Sequence, residues 1–285
     1  MSKNKREKAA DLAADLKMIF QCPHCGASVD IARGASMICE NRHTFDFAKQ
    51  GYINLLTSPM TSHYDAELFD ARQKIIMESN LFDSLHEELL PIFKYQQGIL
   101  LDVGCGEGSH LERLMQQCPN LDGVGLDIAK EGILKAAKSY VDSLWIVGDL
   151  AKSPFTEQAV DVILAILSPS NYKEFKRILK PQGTVVKVVP HENYLKELRS
   201  YFFSGENKQS YSNEQTVALF KEHFSDVETT RVTYTKQLSQ EELPFLAQMT
   251  PLGWSSDKDK RKAFLQQDSL EVTIDLEILI GKKPF

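Results

Sequence analysis

The chain has 285 residues, a formal net charge of -6 at pH 7, 42% hydrophobic and 25% charged residues. That length admits one large domain, or a large domain with a small appendage, and the composition is that of a well-cored globular chain. The acidic balance excludes a global field that would draw in a polyanion, so any nucleic-acid contact must come from a local patch. No apolar run reaches the roughly 18–20 residues that cross a bilayer, the longest, Val160 to Leu167, being broken by Asp161. The basic start is followed by polar and acidic residues rather than the apolar stretch of a secretory signal, so a cytoplasmic location with no membrane partner is expected.

In chain order, residues 1–17 read as a short charged extension with Ala9, Leu12, Ala13 and Leu16 on one helical side. Residues 18–56 carry three cysteines among short strands punctuated by Gly26, Gly34 and Gly51, a unit too small to fold without a staple. Residues 57–95 read as a linker followed by one or two helices, with Leu68, Phe69, Ile75, Ile76, Leu85 and Leu89 at helical spacing. From 96 to 285 strand and helix alternate, which predicts a mainly parallel sheet. Its strands are expected at Gly98–Val103, Asp122–Asp127, Leu144–Val147, Val160–Leu167 and Gly183–Val189. Val227–Leu238 and Leu270–Gly281 lack a long crossover between them and are expected to form an antiparallel edge pair, for seven strands in all. Residues 171–199 hold Lys173, Lys176, Arg177, Lys180, Lys187, Lys196 and Arg199, either a solvated face or a phosphate-facing one.

Two motifs carry chemistry. Cys22 and Cys25 form one Cys-x-x-Cys knuckle, and Cys39 with His43 supplies a second, the donor set and spacing of a tetrahedral zinc site. Four protein ligands leave no open position for water, so this zinc is expected to be structural. A redox pair at Cys22 and Cys25 is the alternative, and Cys105 and Cys118 read as buried small side chains.

The second motif runs Leu101-Asp102-Val103-Gly104-Cys105-Gly106-Glu107-Gly108, after a strand and before a helix, where backbone must pass close to a ligand. Asp127 closes the next strand, where a carboxylate accepts ribose hydroxyls, and Asp149 follows the third, within reach of an adenine amino group. Asp102, Asp127 and Asp149 at successive strand ends fit an adenosyl ligand. Glu107 within the loop disfavours a pyrophosphate and tolerates a cationic sulfonium, which points to S-adenosyl-L-methionine. No Gly-x4-Gly-Lys-Ser/Thr loop is present.

With Ile38-Cys39-Glu40-Asn41-Arg42-His43, Gly51-Tyr52, Ala71-Arg72, the glycine loop, Gly125-Leu126-Asp127 and Gln248-Met249-Thr250-Pro251 before Trp254, the chain resembles the bacterial 23S ribosomal RNA guanine-N1 methyltransferases that modify the loop of hairpin 35. The resemblance implies a Rossmann-like class I methyltransferase domain behind a small zinc ribbon. It implies zinc ligation by Cys22, Cys25, Cys39 and His43, and cofactor contacts from Cys105 and Gly106. Phe82 and Tyr194 align with two further cofactor contacts, at positions where other members carry Tyr and His.

The implied substrate is 23S ribosomal RNA, with the target base splayed from its loop and stacked on aromatic or guanidinium surfaces. Tyr52, Arg72 and Trp254 are candidates for that stacking, each with core packing as the alternative, and Arg33, Arg42 and Lys49 are candidates for gripping the hairpin. Guanine N1 carries a proton at neutral pH that must leave during transfer. Asp149, Glu107 and Ser168 are the candidates near the reacting centre, and none is singled out as the base. A small-molecule methyltransferase and a non-catalytic RNA-binding regulator remain as other readings, and a homodimer is left open.

Overall fold

The computed structural model describes residues 3–32, 35–60, 64–203, 211–254 and 257–284. Helix α1 (Lys5–Asp15) starts at a capping box: the Asn4 side chain accepts from Glu7 N–H, and the Glu7 carboxylate accepts from Asn4 N–H at 2.9 Å. Its Ala9, Ala10 and Ala13 are buried, so small side chains let this charged helix lie close against its neighbours. Strands β1 (Val29–Ala32), β2 (Ser36–Cys39) and β3 (Thr44–Asp46) form a three-stranded antiparallel sheet.

Next along the chain come β4 (Tyr52–Asn54), α2 (Ala66–Met77) and α3 (Asp83–Phe93). Asp65 caps α2 by accepting from Leu68 N–H at 2.8 Å. The α/β part follows as β5 (Gly98–Val103), α4 (Ser109–Met115), β6 (Leu121–Asp127), α5 (Lys130–Ser139), β7 (Leu144–Val147), β8 (Val160–Ile166), α6 (Tyr172–Ile178) and β9 (Leu179–Pro190). It ends with α7 (Lys196–Phe202), α8 (Glu214–His223), β10 (Phe224–Ser239), α9 (Leu243–Met249), α10 (Lys258–Phe264) and β11 (Ser269–Pro284).

The main sheet has the order β10-β11-β9-β8-β5-β6-β7-β4. Neighbours from β4 to β9 are parallel, and β11 is antiparallel to both β9 and β10. The antiparallel edge pair is where the lack of a crossover places it. The strand count differs from expectation: there are eight strands, because β4 adds itself beside β7, with Tyr52 opposite Trp145. Three residues reading as part of a knuckle give no local sign of a partner so distant in sequence, and the pairing is decided by tertiary contact.

The sheet separates two cores. On one face Leu100, Val162, Leu164 and Val186 pack with residues of α2 to α5, α7 and α9. On the other, Leu101, Val103, Val124, Leu126 and Ile163 share one core with α1, α6, α8 and the three-stranded sheet, through Phe20, Met37, Phe47, Ile53 and Leu55. Phe20 and Phe155 meet at 5.7 Å, and Gln21 N–H donates to Pro154 O at 2.8 Å.

Candidate functional site

The first knuckle turns at Gly26, with φ +70°, and Gly26 N–H donates to Cys22 O at 2.8 Å. The second turns at Arg42, whose φ of +65° is a conformation that side chains other than Gly and Asn rarely take. These turns bring one donor atom each from Cys22, Cys25, Cys39 and His43 within 4.8 Å of one another. Cys25 Sγ to Cys39 Sγ is 3.8 Å, and His43 Nδ1 lies 3.5 Å from Cys22 Sγ and 3.4 Å from Cys39 Sγ. A Zn–S bond of about 2.3 Å puts two thiolates about 3.8 Å apart on a tetrahedron, so the donor set fits zinc. Asn41 Nδ2 and His43 N–H donate to the Cys25 and Cys39 sulfurs at 3.4 and 3.3 Å, the outer contacts that hold thiolates in place. His24 is outside the set, stacked on Phe45 at 5.6 Å.

The second site lies at the carboxyl ends of the parallel strands. The connections from β5 run to β6 on one side and, after β7, back to β8 on the other, and that reversal opens a crevice beyond β5. A cavity of about 650 Å³ occupies it, a volume suited to a nucleoside-sized ligand and part of a second reactant. Gly104 and Gly108 make the loop that floors it. At Gly104 (φ +70°) a Cβ would come within 2.7 Å of Ser168 Cβ, and at Gly108 (φ +79°) within 2.3 Å of Trp145, so side chains are excluded at both.

Gly104, Gly106, Asp127, Asp149, Phe82 and Tyr194 all line this cavity. Asp127 is fixed by two backbone donors, Gly106 N–H to Oδ2 at 2.8 Å and Ala129 N–H to Oδ1 at 2.7 Å, which leaves a lone pair on each oxygen for ribose hydroxyls. Asp149 accepts from Ala151 N–H at 2.8 Å. Burial raises the Tyr194 phenol above its ordinary range, so it stays a neutral donor.

Asp102 and Cys105 do not line the cavity; they sit beneath the loop, 2% and 3% exposed. Burial, followed by the charge of Asp127, pushes the Asp102 carboxyl up to about 8, and burial raises the Cys105 thiol. Arg72 does line the cavity, and its guanidinium is committed to Glu107: Nε lies 2.8 Å from Oε2 of a carboxylate with no exposed surface. Trp254 is 40% exposed at the rim and meets Tyr64, 47% exposed, edge to face at 5.9 Å. Tyr52 is buried in the core on β4, where the packing alternative describes it. Arg42 and Lys49 are exposed, and Arg33 lies outside the described residues.

Among the lining residues that the sequence reading did not assign to the site are His110 and Lys187. His110, on the first turn of α4, bonds through Nδ1 to His86 Nε2 at 2.9 Å. Lys187 is 5% exposed in the middle of β9, and its Nζ donates to Ser168 O at 3.1 Å and Ser170 Oγ at 2.7 Å. The signal was in plain view: a lysine inside Val185-Val186-Lys187-Val188-Val189 interrupts a run that is otherwise wholly apolar.

Glycine loop, strand-end acids, crevice and edge pair together define a class I methyltransferase, and the four-ligand knuckles define a zinc ribbon joined to it. Residues 20–60 match the zinc-ribbon family described as RlmA, N-terminal, and residues 100–183 match the family described as methyltransferase domain. YxjB of Bacillus subtilis (strain 168), whose name assigns it as a 23S rRNA (guanine-N(1)-)-methyltransferase, is 42% identical over 93% of this chain and 97% of its own length. The 23S rRNA (guanine(748)-N(1))-methyltransferase of Streptomyces fradiae is 30% identical, over 85% and 88%. A phosphoethanolamine N-methyltransferase 2 of Haemonchus contortus shares the fold at a TM-score of 0.50 and 15% identity, over 80% of this chain and 62% of that one. The chain belongs to the 23S rRNA (guanine-N1)-methyltransferase family. No described helix is long and apolar enough to cross a membrane.

Proposed function

We propose that the protein transfers the methyl group of S-adenosyl-L-methionine to N1 of a guanosine in the hairpin 35 loop of 23S ribosomal RNA, in the cytoplasm. The observation that carries this reading is the 42% identity, spanning nearly both full lengths, with a relative named for that chemistry. The site residues suit the assignment. Asp127 takes the ribose hydroxyls and Asp149 the adenine amino group, while Gly104 and Gly106 allow backbone to approach the cofactor and Phe82 and Tyr194 close its methionine end. Asp102 and Cys105 support the loop from below. When bound, the cofactor supplies an electrophilic methyl carbon on a sulfonium; the protein's part is to align guanine N1 with it and exclude water.

The zinc ribbon is assigned the hairpin. Its ion holds two knuckles without touching substrate, and exposed Arg42 and Lys49 face the phosphates. Tyr64 and Trp254 at the cavity rim offer rings for the splayed base, while buried Tyr52 serves packing. A homodimer would place two such ribbons on one assembly, and sedimentation of the protein alone decides that part.

The test is primer extension on ribosomal RNA from a deletion strain before and after treatment with protein and cofactor. A stop restored by the protein at a guanine of the hairpin 35 loop is expected. Label that enters small molecules and never RNA would overturn the reading.

A further inference from the structure

The three bases considered from sequence are each placed for another task. The Asp149 carboxylate caps the turn at Ala151 and is assigned the adenine amino group, and Glu107 pairs with Arg72 and does not line the cavity. The Ser168 hydroxyl donates to Val103 O at 2.7 Å. His110 also lines the cavity, but its Nδ1 is paired with His86 Nε2 at 2.9 Å, and burial, followed by the charges of His86 and Arg72, lowers it well below the ordinary histidine value, which leaves it a weak base.

Lys187 remains. It lies between Ala165 of β8 and Leu279 of β11, at the level where β8 gives way to Leu167-Ser168-Pro169 of the cavity wall. As a neutral amine it has two N–H bonds, and two acceptors are in place for them, Ser168 O and Ser170 Oγ. Its lone pair is the one valence without a protein partner. We propose that Lys187 is the catalytic base that takes the N1 proton of the guanine, an inference that rests on the proposed substrate.

The step balances. As N1 bonds to the methyl carbon, the C–S electron pair stays on sulfur and the N1 proton passes to Nζ. One positive charge is lost at sulfur and one appears on the Lys187 ammonium, so the cavity keeps its net charge. The ammonium then has a third N–H for guanine O6, and its proton goes to water when the RNA leaves.

Burial lowers the Lys187 ammonium to about 8, which makes the amine accessible near neutral pH. The titratable groups around it are few. Tyr172 of α6 bonds the same Ser170, and burial raises its phenol, so it stays neutral. Glu277 of β11, opposite Val189, is held by Asn213 Nδ2 at 2.8 Å. Across the cavity stand Tyr194, Tyr211, Asp127 and Arg72.

The experiment measures single-turnover methylation of a 23S ribosomal RNA fragment against pH, with ¹⁵N-lysine side-chain NMR of the cofactor-free protein. The wild-type rate is expected to rise about tenfold per pH unit and to level near the value at which the Lys187 resonance titrates, about 8. Lys187→Arg keeps charge and donors but cannot give up a proton. It and Lys187→Met are both expected to lose about 100-fold or more in rate at neutral pH, with calorimetric cofactor affinity within about threefold of wild type. A flat wild-type profile, a Lys187 resonance that titrates above about 10, or near-full activity in Lys187→Arg overturns the role. No transfer to RNA by the wild type at any pH overturns the substrate reading and this role with it, whereas transfer that survives Lys187→Arg overturns this role alone. The profile and the titration need no variant, so a misfolded substitution leaves the test intact.

Discussion

Removing the zinc should destabilise the methyltransferase part as well as the ribbon. Cys39→Ser takes one ligand from a closed site whose ion is worth about 10–16 kcal/mol in isolated zinc modules, more than enough to unfold a three-stranded sheet. The ribbon does not end at its own core. Phe20, Phe47, Ile53 and Leu55 are buried in the same apolar cluster as β5 to β8. At about 1.5–3 kcal/mol each, exposing these four forfeits roughly 6–12 kcal/mol. Releasing the three residues of β4 returns about 1–2 kcal/mol per residue of backbone entropy, roughly 3–6 kcal/mol. Taken at the middle of those ranges, about 4–5 kcal/mol then falls on the remaining sheet, which for a domain of this size lowers Tm by roughly 10 °C. Scanning calorimetry of wild type, the Cys39→Ser variant and chelator-treated protein provides the measurement. One cooperative transition, shifted down, is the expected trace. Two transitions, the upper within about 2 °C of wild type, would show that the ribbon folds and melts alone and that the shared core carries no coupling.

Three further outcomes follow from the site. Asp127→Ala should weaken S-adenosyl-L-methionine binding by about 1–3 kcal/mol in calorimetry, because the ribose acceptors are gone, without changing zinc content. Arg72→Met leaves Glu107 buried and unpaired and should cost about 3–5 kcal/mol in urea denaturation, most of it recovered in the Arg72→Met, Glu107→Met double variant. Asp102 is raised to about 8 by burial first and Asp127 second, so the folded state holds a proton that the unfolded chain releases near pH 4. Stability from this group is full below pH 4 and is lost as pH rises toward 8. Asp102→Asn mimics the protonated form and should exceed wild type in stability at pH 8 while matching it at pH 4; an equal difference at both would refute the shifted carboxyl.

What could be read from sequence was what is local. The knuckles depend on spacings within four residues, and the glycine loop on a strand, a turn and a helix start, so the ligand set and the cavity floor were legible before any fold was known. Asp127 and Asp149 were legible because a strand end is a local place and parallel topology aligns strand ends. What failed needed distance. The pairing of β4 with β7 is set by partners far apart in sequence, and α8 and α10 went unread because their apolar faces are narrow, with Phe220 and Phe264 their fully buried large side chains. For Arg72 the sequence left stacking and a structural role both open, because its partner, Glu107, comes from another element. Lys187 was grouped with the cations of residues 171–199, on a solvated or a phosphate-facing face, because charge density along a sequence does not record which of those charges is buried.

The net charge of -6 also bears on how RNA is held. The cavity carries the acids Asp127 and Asp149 against two cations, Arg72, neutralised by Glu107, and Lys187, buried and bonded to Ser168 and Ser170, so the cavity itself offers a phosphate backbone little attraction. The proposed hairpin contact is the ribbon face, where Arg42 and Lys49 are exposed, and salt dependence separates the two surfaces. Removing one phosphate-facing cation should reduce the slope of log K against log salt by about one. Lys49→Ala tests one such cation; Arg42→Asn tests the other, since asparagine tolerates the φ of +65° at that turn and spares the knuckle. Filter binding of a hairpin 35 transcript from about 50 to 200 mM salt provides the measurement. Both variants should show a shallower slope with the same methylation rate at saturating RNA, because neither residue reaches the cavity. An unchanged slope in both would place the hairpin on a different face of the molecule and leave the ribbon with a purely structural task.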